Sequence, residues 1–157
     1  DPVKDVTLSL RGKQCIVAWK VVKIENRSSG PRRGLNRIHR IGTILSPYRR
    51  VPWSRLTMNG GDDASKLLAS HSCGVFAFLN GRTAWGHRYE FNGVAVARGE
   101  LRGRVLRYAH NIRDYAFAGF RAQYARITAL YVTTKAEADL VRARYPRLEV
   151  FVGDLSL

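Results

Sequence analysis

The stretch Val94–Tyr108, VAVARGELRGRVLRY, is the most informative part of the sequence for the fold. Small and apolar residues occupy alternate positions from Ala95 to Val105, and from Arg98 to Arg104 the residues between them are charged. Alternation with a period of two is typical of a β-strand that buries one face and leaves the other in water. We therefore expect a long strand here with one wet, charged face. The residues on that face are Arg98, Glu100, Arg102 and Arg104.

Further strands are predicted on both sides of this stretch. Phe120–Val132 is apolar and strand-like, and it pairs most simply with the strand before it, across a loop at His110–Ala118. Cys15–Glu25 is rich in β-branched residues on both alternating faces, which is typical of a strand buried on both sides. Shorter apolar runs predict the remaining strands, at Arg40–Leu45, Cys73–Leu79 and Leu148–Val152.

Three short helices complete the predicted set of elements. The first follows the N-cap Asp63 and spans Ala64–Ser70, and the second covers a turn or two between Arg82 and Tyr89. The third, Lys135–Arg144, begins with the capping box Thr134–Glu137 and ends before Pro146. Its predicted apolar side is Ala136, Leu140, Val141 and Ala143. Long strands adjacent in sequence predict an α+β fold with a mostly antiparallel sheet, three short helices and a long Arg-rich loop.

Length and composition set further bounds. A chain of 157 residues with 45% hydrophobic residues predicts one domain, 1–157, with an ordinary core. No apolar run is long enough for a transmembrane helix, and Asp1–Leu10 lacks the pattern of a secretory signal. Two cysteines do not make a disulfide framework, so we expect Cys15 and Cys73 to be reduced and the protein to be cytoplasmic.

The charge is strongly positive and unevenly distributed. The formal net charge is +15, and Arg outnumbers Lys by 21 to 6. Between Asn26 and Met58 the sequence has eight Arg and no acidic residue. Such a block favours the binding of phosphate groups, because each phosphate that is neutralised releases counterions and Arg binds phosphate in a bidentate manner. A preference for Arg codons would explain the ratio but not the acid-free block.

A long basic loop at about 26–61 is the main predicted binding element. Pro47 and Pro52 exclude a regular helix there, and Tyr48 and Trp53 interleave aromatic rings with the Arg residues. Aromatic rings and guanidinium planes favour the binding of single-stranded or structured RNA, because unpaired bases can stack on them. Alternatively, Tyr48 and Trp53 attach the loop to the core. The predicted nucleic-acid-binding residues are Arg27, Arg32, Arg33, Arg37, Arg40, Tyr48, Arg49, Arg50, Trp53, Arg55, Arg98, Arg102 and Arg104.

Four separated segments resemble those of a known group of proteins. They are Ala18-Trp-Lys-Val-Val22, Cys73-Gly-Val-Phe-Ala-Phe78, Gly99-Glu-Leu-Arg-Gly-Arg-Val105 and Gly119-Phe-Arg-Ala-Gln-Tyr-Ala-Arg-Ile127. In that order they resemble a group of small, chiefly actinobacterial single-domain proteins with no established activity. The resemblance implies a bacterial protein and transfers no catalytic residue. This chain departs from the group's pattern at Gln123, where Glu is usual, and in its enlarged Arg-rich loop.

Few residue combinations point to catalysis. His71 and Cys73 are metal-capable, but a structural zinc site needs four ligands, so we expect no metal and no cofactor. Cys73 with a distant His could form a nucleophile pair, although a packed Cys explains it more simply. His87, Glu90 and Glu100 beside Arg121 could supply acid–base groups, although a surface helix end and a wet strand face explain these residues equally well.

The sequence favours a binding module for nucleic acid or a nucleoprotein, acting through the Arg-rich loop and the wet strand face. The first alternative is an enzyme or toxin-like effector on a nucleotide or nucleic acid, with His87, Glu100 and Arg121 near a cleft. The second alternative is a phage or defence-related protein that docks an acidic protein surface. Neither a membrane role nor an oligomeric state is predicted.

Overall fold

Eight strands and two helices make up the described part of the chain. The computed structural model describes residues 6–25, 41–47, 52–53, 55–59, 75–90, 93–112 and 115–155. In chain order the elements are β1 (Val6–Ser9), β2 (Ile16–Ile24), β3 (Ile44–Leu45), β4 (Thr57–Asn59), β5 (Val75–Phe78), α1 (Gly81–Gly86), β6 (Ala95–Ile112), β7 (Tyr115–Val132), α2 (Lys135–Arg144) and β8 (Glu149–Val152).

The two longest strands, β6 and β7, pair along almost their whole length. Their antiparallel register runs from Val96 opposite Tyr131 to Ile112 opposite Tyr115. The predicted long strand and its pairing with the following strand are therefore confirmed. The predicted loop at His110–Ala118 is wrong, because β6 continues to Ile112 and β7 already begins at Tyr115. That segment has no Gly or Pro before Gly119 to interrupt backbone pairing.

Four strands close into a ring, which makes a small barrel. β2 pairs with β6, β6 with β7, β7 with β5, and β5 with β2 through Trp19 opposite Phe78. A closed ring of so few strands is narrow, so its interior is filled by side chains rather than left open. Many of the buried core residues are accordingly small. These are Ala18, Ala77, Ala95, Ala97, Ala122 and Ala125.

The remaining strands extend this ring. β1 lies against β6, β3 against β2, and β4 against β7, all antiparallel. β8 follows α2 in the chain and pairs with β7 in parallel. The fold is therefore α+β with a mostly antiparallel sheet, as predicted. The short strands β1 and β4 were not predicted, because each is too brief to show a clear alternation.

The helix α1 covers part of the outer face of the ring. Asn80 caps it by accepting a hydrogen bond from the Thr83 N–H at 2.8 Å. Trp85 on this helix is buried in a second apolar cluster with Val21, Phe78 and Val96. The predicted helix at Ala64–Ser70 lies outside the described residues. Neither helix in the described ranges has the length and apolar character needed to cross a membrane.

The helix α2 begins with the predicted capping box. The Thr134 hydroxyl accepts from the Glu137 N–H, and the Glu137 carboxylate accepts from the Thr134 N–H, both at 3.2 Å. Its buried residues are Ala138 and Val141. The predicted apolar side is thus only partly right: Val141 is buried and Leu140 half-buried, whereas Ala136 and Ala143 are exposed.

A tight contact joins α2 to the segment before β3. Gly42 has a φ of +86°, and a Cβ built on it would overlap the carbonyl oxygen of Leu140. The Ile44 N–H donates to the Tyr145 hydroxyl at 3.1 Å, immediately beyond the helix. Only glycine allows the two backbones to approach this closely in this conformation.

Candidate nucleic-acid interface

Four side chains from the two central strands form a quartet, defined as Glu100, Arg102, Tyr124 and Arg126. Glu100 lies directly opposite Arg126 in the β6–β7 register, and Arg102 lies directly opposite Tyr124. Cross-strand partners are close enough for their side chains to interact. The Arg126 side chain is 60% exposed and the Tyr124 residue 44% exposed. The quartet therefore presents a ring and two guanidinium groups to solvent.

Glu100 holds both arginines of the quartet. Its Oε1 lies 3.6 Å from the Arg102 guanidinium and 3.4 Å from that of Arg126. Both distances are longer than an ideal charge-assisted hydrogen bond, and both guanidinium groups keep solvent access. Glu100 therefore holds the two positive charges close together, while both guanidinium groups remain partly exposed to solvent.

Cys15 approaches the same carboxylate from the start of β2. Its thiol donates to Glu100 Oε2 at 3.3 Å. The Cys15 hydrogen bond lowers the pKa of Glu100, with help from the Arg102 and Arg126 charges and against partial desolvation. In return, the hydrogen bond to Glu100, burial and the Glu100 charge raise the pKa of Cys15. Glu100 is therefore a carboxylate at neutral pH, and Cys15 is held as a thiol rather than a nucleophilic thiolate.

A surface groove adjoins the quartet on the β4 side. Its volume is about 350 Å³, which falls within the usual range of small-molecule sites. β4 forms one wall, since Thr57 lies opposite Arg126 in the register. We call it the basic groove, and its lining residues are Thr57, Met58, Arg102, Tyr124, Ala125 and Arg126.

More positive charge lies at the other end of the quartet. Arg102 donates to the Gly12 carbonyl at 3.5 Å, in the turn that leads into β2. Arg11 and Lys13 flank Gly12 in that turn, and both are exposed. Arg104 is also exposed, next to a register irregularity between Arg102 and Val105. The basic surface therefore extends from the groove along β6 to this turn.

The predicted binding residues fall into three groups. Arg98, Arg102 and Arg104 lie on β6 with part or all of their surface exposed, and Arg55 is exposed before β4. Trp53 is instead buried, with 2% of its surface exposed, and therefore offers no ring face to a base in this structure. This position corresponds to the alternative in which Trp53 attaches the loop to the core. The others lie outside the described residues: Arg27, Arg32, Arg33, Arg37, Arg40, Tyr48, Arg49 and Arg50.

Two of the three predicted acid–base candidates lie far apart along the sheet. Arg121 is buried and precedes Arg126, the register partner of Glu100, by five residues on β7, or about 16 Å at the usual strand rise. His87 follows α1, contacts Glu90 through Nδ1 at 2.8 Å and stacks on Phe78. The structure thus pairs Glu100 with Arg126 and Cys15 rather than with Arg121.

Sequence reasoning missed Cys15, Tyr124 and Arg126 as members of a site. Tyr124 and Arg126 alternate with buried Ala125 and Ile127, so the period of two could have placed them on a wet face. The approach of Cys15 to Glu100 spans 85 positions and leaves no signal in either segment. His71 and Cys73 lie outside the described residues, and within the described part no three His, Cys, Asp or Glu side chains are grouped as metal ligands.

Comparison with known proteins gives no match. No protein-family model, no curated protein and no solved structure is significantly similar to this chain. The resemblance to the small actinobacterial proteins therefore stays a prediction. Any function rests on the geometry of the quartet and on the charge of the chain.

Proposed function

We propose that this protein is a binding module for single-stranded nucleic acid, alone or within a nucleoprotein. Its binding surface is the basic groove with the quartet. The sequence between Asn26 and Met58 adds eight arginines to the positive charge of the chain. The observation that carries the proposal is the exposed Tyr124 ring beside two arginines whose side chains are also exposed. Aromatic platforms flanked by positive charge are the common means by which proteins hold unpaired bases and their phosphates.

The chemistry of the quartet supports phosphate binding combined with stacking. A phosphate can bind Arg126 or Arg102 from the solvent side, because each contact to Glu100 is longer than an ideal hydrogen bond and both arginine side chains keep solvent access. The Tyr124 hydroxyl accepts a hydrogen bond from Gln123 Nε2 at 3.2 Å, which restrains the ring. A restrained ring loses little conformational freedom when a base stacks on it.

Base-specific recognition is not part of the proposal. Arginine and tyrosine contact every nucleotide through phosphate and ring faces, which carry no sequence information. We therefore expect similar affinity for unrelated single-stranded sequences and a weaker preference between RNA and DNA than between single and double strands.

Substitution of Tyr124 tests the proposal. In fluorescence anisotropy with a short labelled single strand at low salt, Tyr124→Ala should weaken binding by about 1–3 kcal/mol, the usual contribution of one stacked base. Tyr124→Phe keeps the ring and should bind almost as well as the wild type. Arg126→Ala should also weaken binding, because it removes a phosphate contact.

Arg147→Ala is the matched control. Arg147 is exposed before β8, so its loss changes the net charge as much as Arg126→Ala does without touching the groove. Equal losses for the two Arg variants, with no loss for Tyr124→Ala, would show a diffuse charge effect and reject the groove as the site. No binding to any single strand at low salt would reject the function and favour an acidic protein partner.

A further inference from the structure

Three aromatic side chains, Trp19, Tyr131 and Phe151, form a continuous row on the outer face of the barrel, and we call them the aromatic row. The ring centroids of Trp19 and Tyr131 are 5.6 Å apart, and the Tyr131 and Phe151 rings stack at 5.1 Å. At the other end of the row, Trp19 packs against Gly81 at the start of α1, where an added Cβ would lie 2.9 Å from the indole ring. The sheet and the helix therefore hold the row in place.

Phe151 is the exposed end of the aromatic row. It lies on β8, which pairs with β7 alone among the described strands, and 44% of its surface is exposed. Tyr131 stacks on one face of the Phe151 ring, so the opposite face is the one open to solvent. A ring that its neighbours already hold loses little conformational freedom when a base stacks on it.

A β-bulge in β7 places the aromatic row on the same face of the sheet as the quartet. Tyr124 and Tyr131 are an odd number of positions apart, so a regular strand would put them on opposite faces. The register with β6 shifts between Arg98 and Gly99, which leaves Thr128 as an extra residue on β7. The Thr128 hydroxyl donates to the Arg98 carbonyl at 3.1 Å. Because of this extra residue, Tyr131 lies on the face that carries Tyr124.

Arg98 lies between the quartet and the aromatic row on that face. On β6 it is two positions from Glu100 and two from Val96, the register partner of Tyr131, and it lies opposite Trp19 on β2. Its side chain is partly exposed and makes no ion pair with any residue that the structure describes. A positive charge is therefore available to a phosphate midway between the two aromatic sites.

We infer, on the basis of the proposed function, that the aromatic row is a second stacking site for the same single-stranded nucleic acid, and that Arg98 binds a phosphate between the two sites. The β6 segment from Arg102 to Val96 covers about 20 Å at the usual rise of a β-strand. At about 3.4 Å per stacked nucleotide, about six nucleotide steps separate the base on Tyr124 from the base on Phe151. The bound nucleic acid therefore runs along the outer face of β6 and β7.

Charge favours a nucleic acid over a second copy of this chain at the aromatic row. A second copy would bring another net charge of +15 to a face that already carries unpaired Arg98, and like charges oppose association. A polyanion is attracted to the same face and gains from the release of its counterions.

Labelled oligonucleotides of two lengths test the inference by fluorescence anisotropy at low salt. An oligonucleotide of about twelve nucleotides reaches both aromatic sites, whereas one of about three nucleotides reaches a single site. Phe151→Ala should weaken binding of the long oligonucleotide about tenfold, the usual contribution of one stacked base. The short oligonucleotide should bind Phe151→Ala within about twofold of the wild type, because Tyr124 is still present.

Val152→Ala is the matched control. Val152 is also exposed on β8, but alternation places it on the other face of the strand, so this variant should bind the long oligonucleotide as the wild type does. Arg98→Gln provides a second variant that leaves the ring contacts in place. It should weaken binding of the long oligonucleotide more than Arg147→Ala, which removes the same charge away from this face.

The outcomes separate this site from the quartet. If Phe151→Ala and Arg98→Gln bind the long oligonucleotide as the wild type does while Tyr124→Ala binds it more weakly, the aromatic row is not a site and the quartet remains the binding surface. If the wild type binds no oligonucleotide, the proposed function and the second site both fail. A wild type that self-associates in light scattering, with a monomeric Phe151→Ala, would identify the row as a contact between copies of this chain and overturn the inference.

Discussion

Glu100 is the acidic member of the quartet. Its carboxylate keeps Cys15 protonated and positions two arginines, and its own pKa is lowered by these three partners. For a binding surface the carboxylate is an internal competitor of phosphate. For an active site it would be a general base. Substitution of Glu100 can therefore distinguish a binding surface from an active site on this strand face.

Replacement of Glu100 by Gln should maintain or raise affinity for single strands, because it removes the negative charge beside Arg102 and Arg126. It should also lower the Cys15 pKa, since the carboxylate that disfavours the thiolate is gone while both arginines remain. Affinity is measured by anisotropy. The thiol pKa is measured from the pH dependence of alkylation in a Cys73→Ser background, so that one cysteine reacts.

The same variant tests the enzyme alternative. If the wild type cleaves or modifies a nucleic acid and Glu100→Gln loses that activity by about 10²–10⁴-fold while it still binds, Glu100 is a general base and the binding-module proposal fails. A variant that binds more weakly than the wild type would show instead that Glu100 holds the arginines in their binding position.

Individual residues were the hardest to predict from the sequence. Arg98, Arg102 and Arg104 were placed on a wet face because alternation shows it directly. The contact of Cys15 with Glu100 could not be predicted, since it depends on how β2 pairs with β6 and joins residues 85 positions apart. For Trp53 the sequence leaves two roles open, nucleic-acid binding and packing into the core, because an aromatic residue among arginines has the same composition signal in both. The structure places Trp53 in the core.

At the scale of elements, the contact between Gly42 and α2 connects the edge of the sheet to its covering helix. Gly42→Ala should destabilise the protein by about 2–4 kcal/mol, since the new methyl group overlaps the Leu140 carbonyl and a positive φ disfavours alanine. Urea unfolding of both proteins gives the difference. Gly12→Ala is the matched control, because Gly12 also has a positive φ (+62°) but nothing within 4 Å of the added Cβ.

Gly12→Ala should lower the free energy of unfolding by only about 1–2 kcal/mol, because it adds the cost of the backbone conformation alone. If the two variants lose equal stability, the close approach of α2 contributes nothing and the helix is loosely attached. The measurement therefore reports on the packing of α2, independently of any function.

Elements with a strong local pattern were predicted well. The sequences of β6, β7 and α2 contain a long strand-like pattern or a capping box. The elements that these local patterns predict are present in the structure. The closure of the ring was not predicted, because it depends on pairings between distant segments such as Trp19 and Phe78. The extent of the β6–β7 hairpin was also missed, since its polar residues at 110–114 resemble a loop.

At the scale of the whole molecule, the net charge of +15 should dominate association. The logarithm of the affinity for a single strand should fall linearly with the logarithm of the salt concentration, with a slope of about −0.7 for each phosphate contacted. Several contacts are expected from the groove and the Arg-rich segment together. A slope near zero would contradict phosphate binding altogether.

The closed ring also has a consequence for how the chain reaches its native state. β2 is joined to β6 and β7 to β5 across long intervals of sequence, and β5 meets β2 through one pair among the described residues. Loop-closure entropy opposes pairings between distant segments, so we expect folding to be slower than in a protein of the same length with mostly local contacts. Since the seam between β2 and β5 has only that pair among the described residues, we expect its amides to exchange with solvent earlier than those of the long β6–β7 pairing in a native-state hydrogen-exchange measurement.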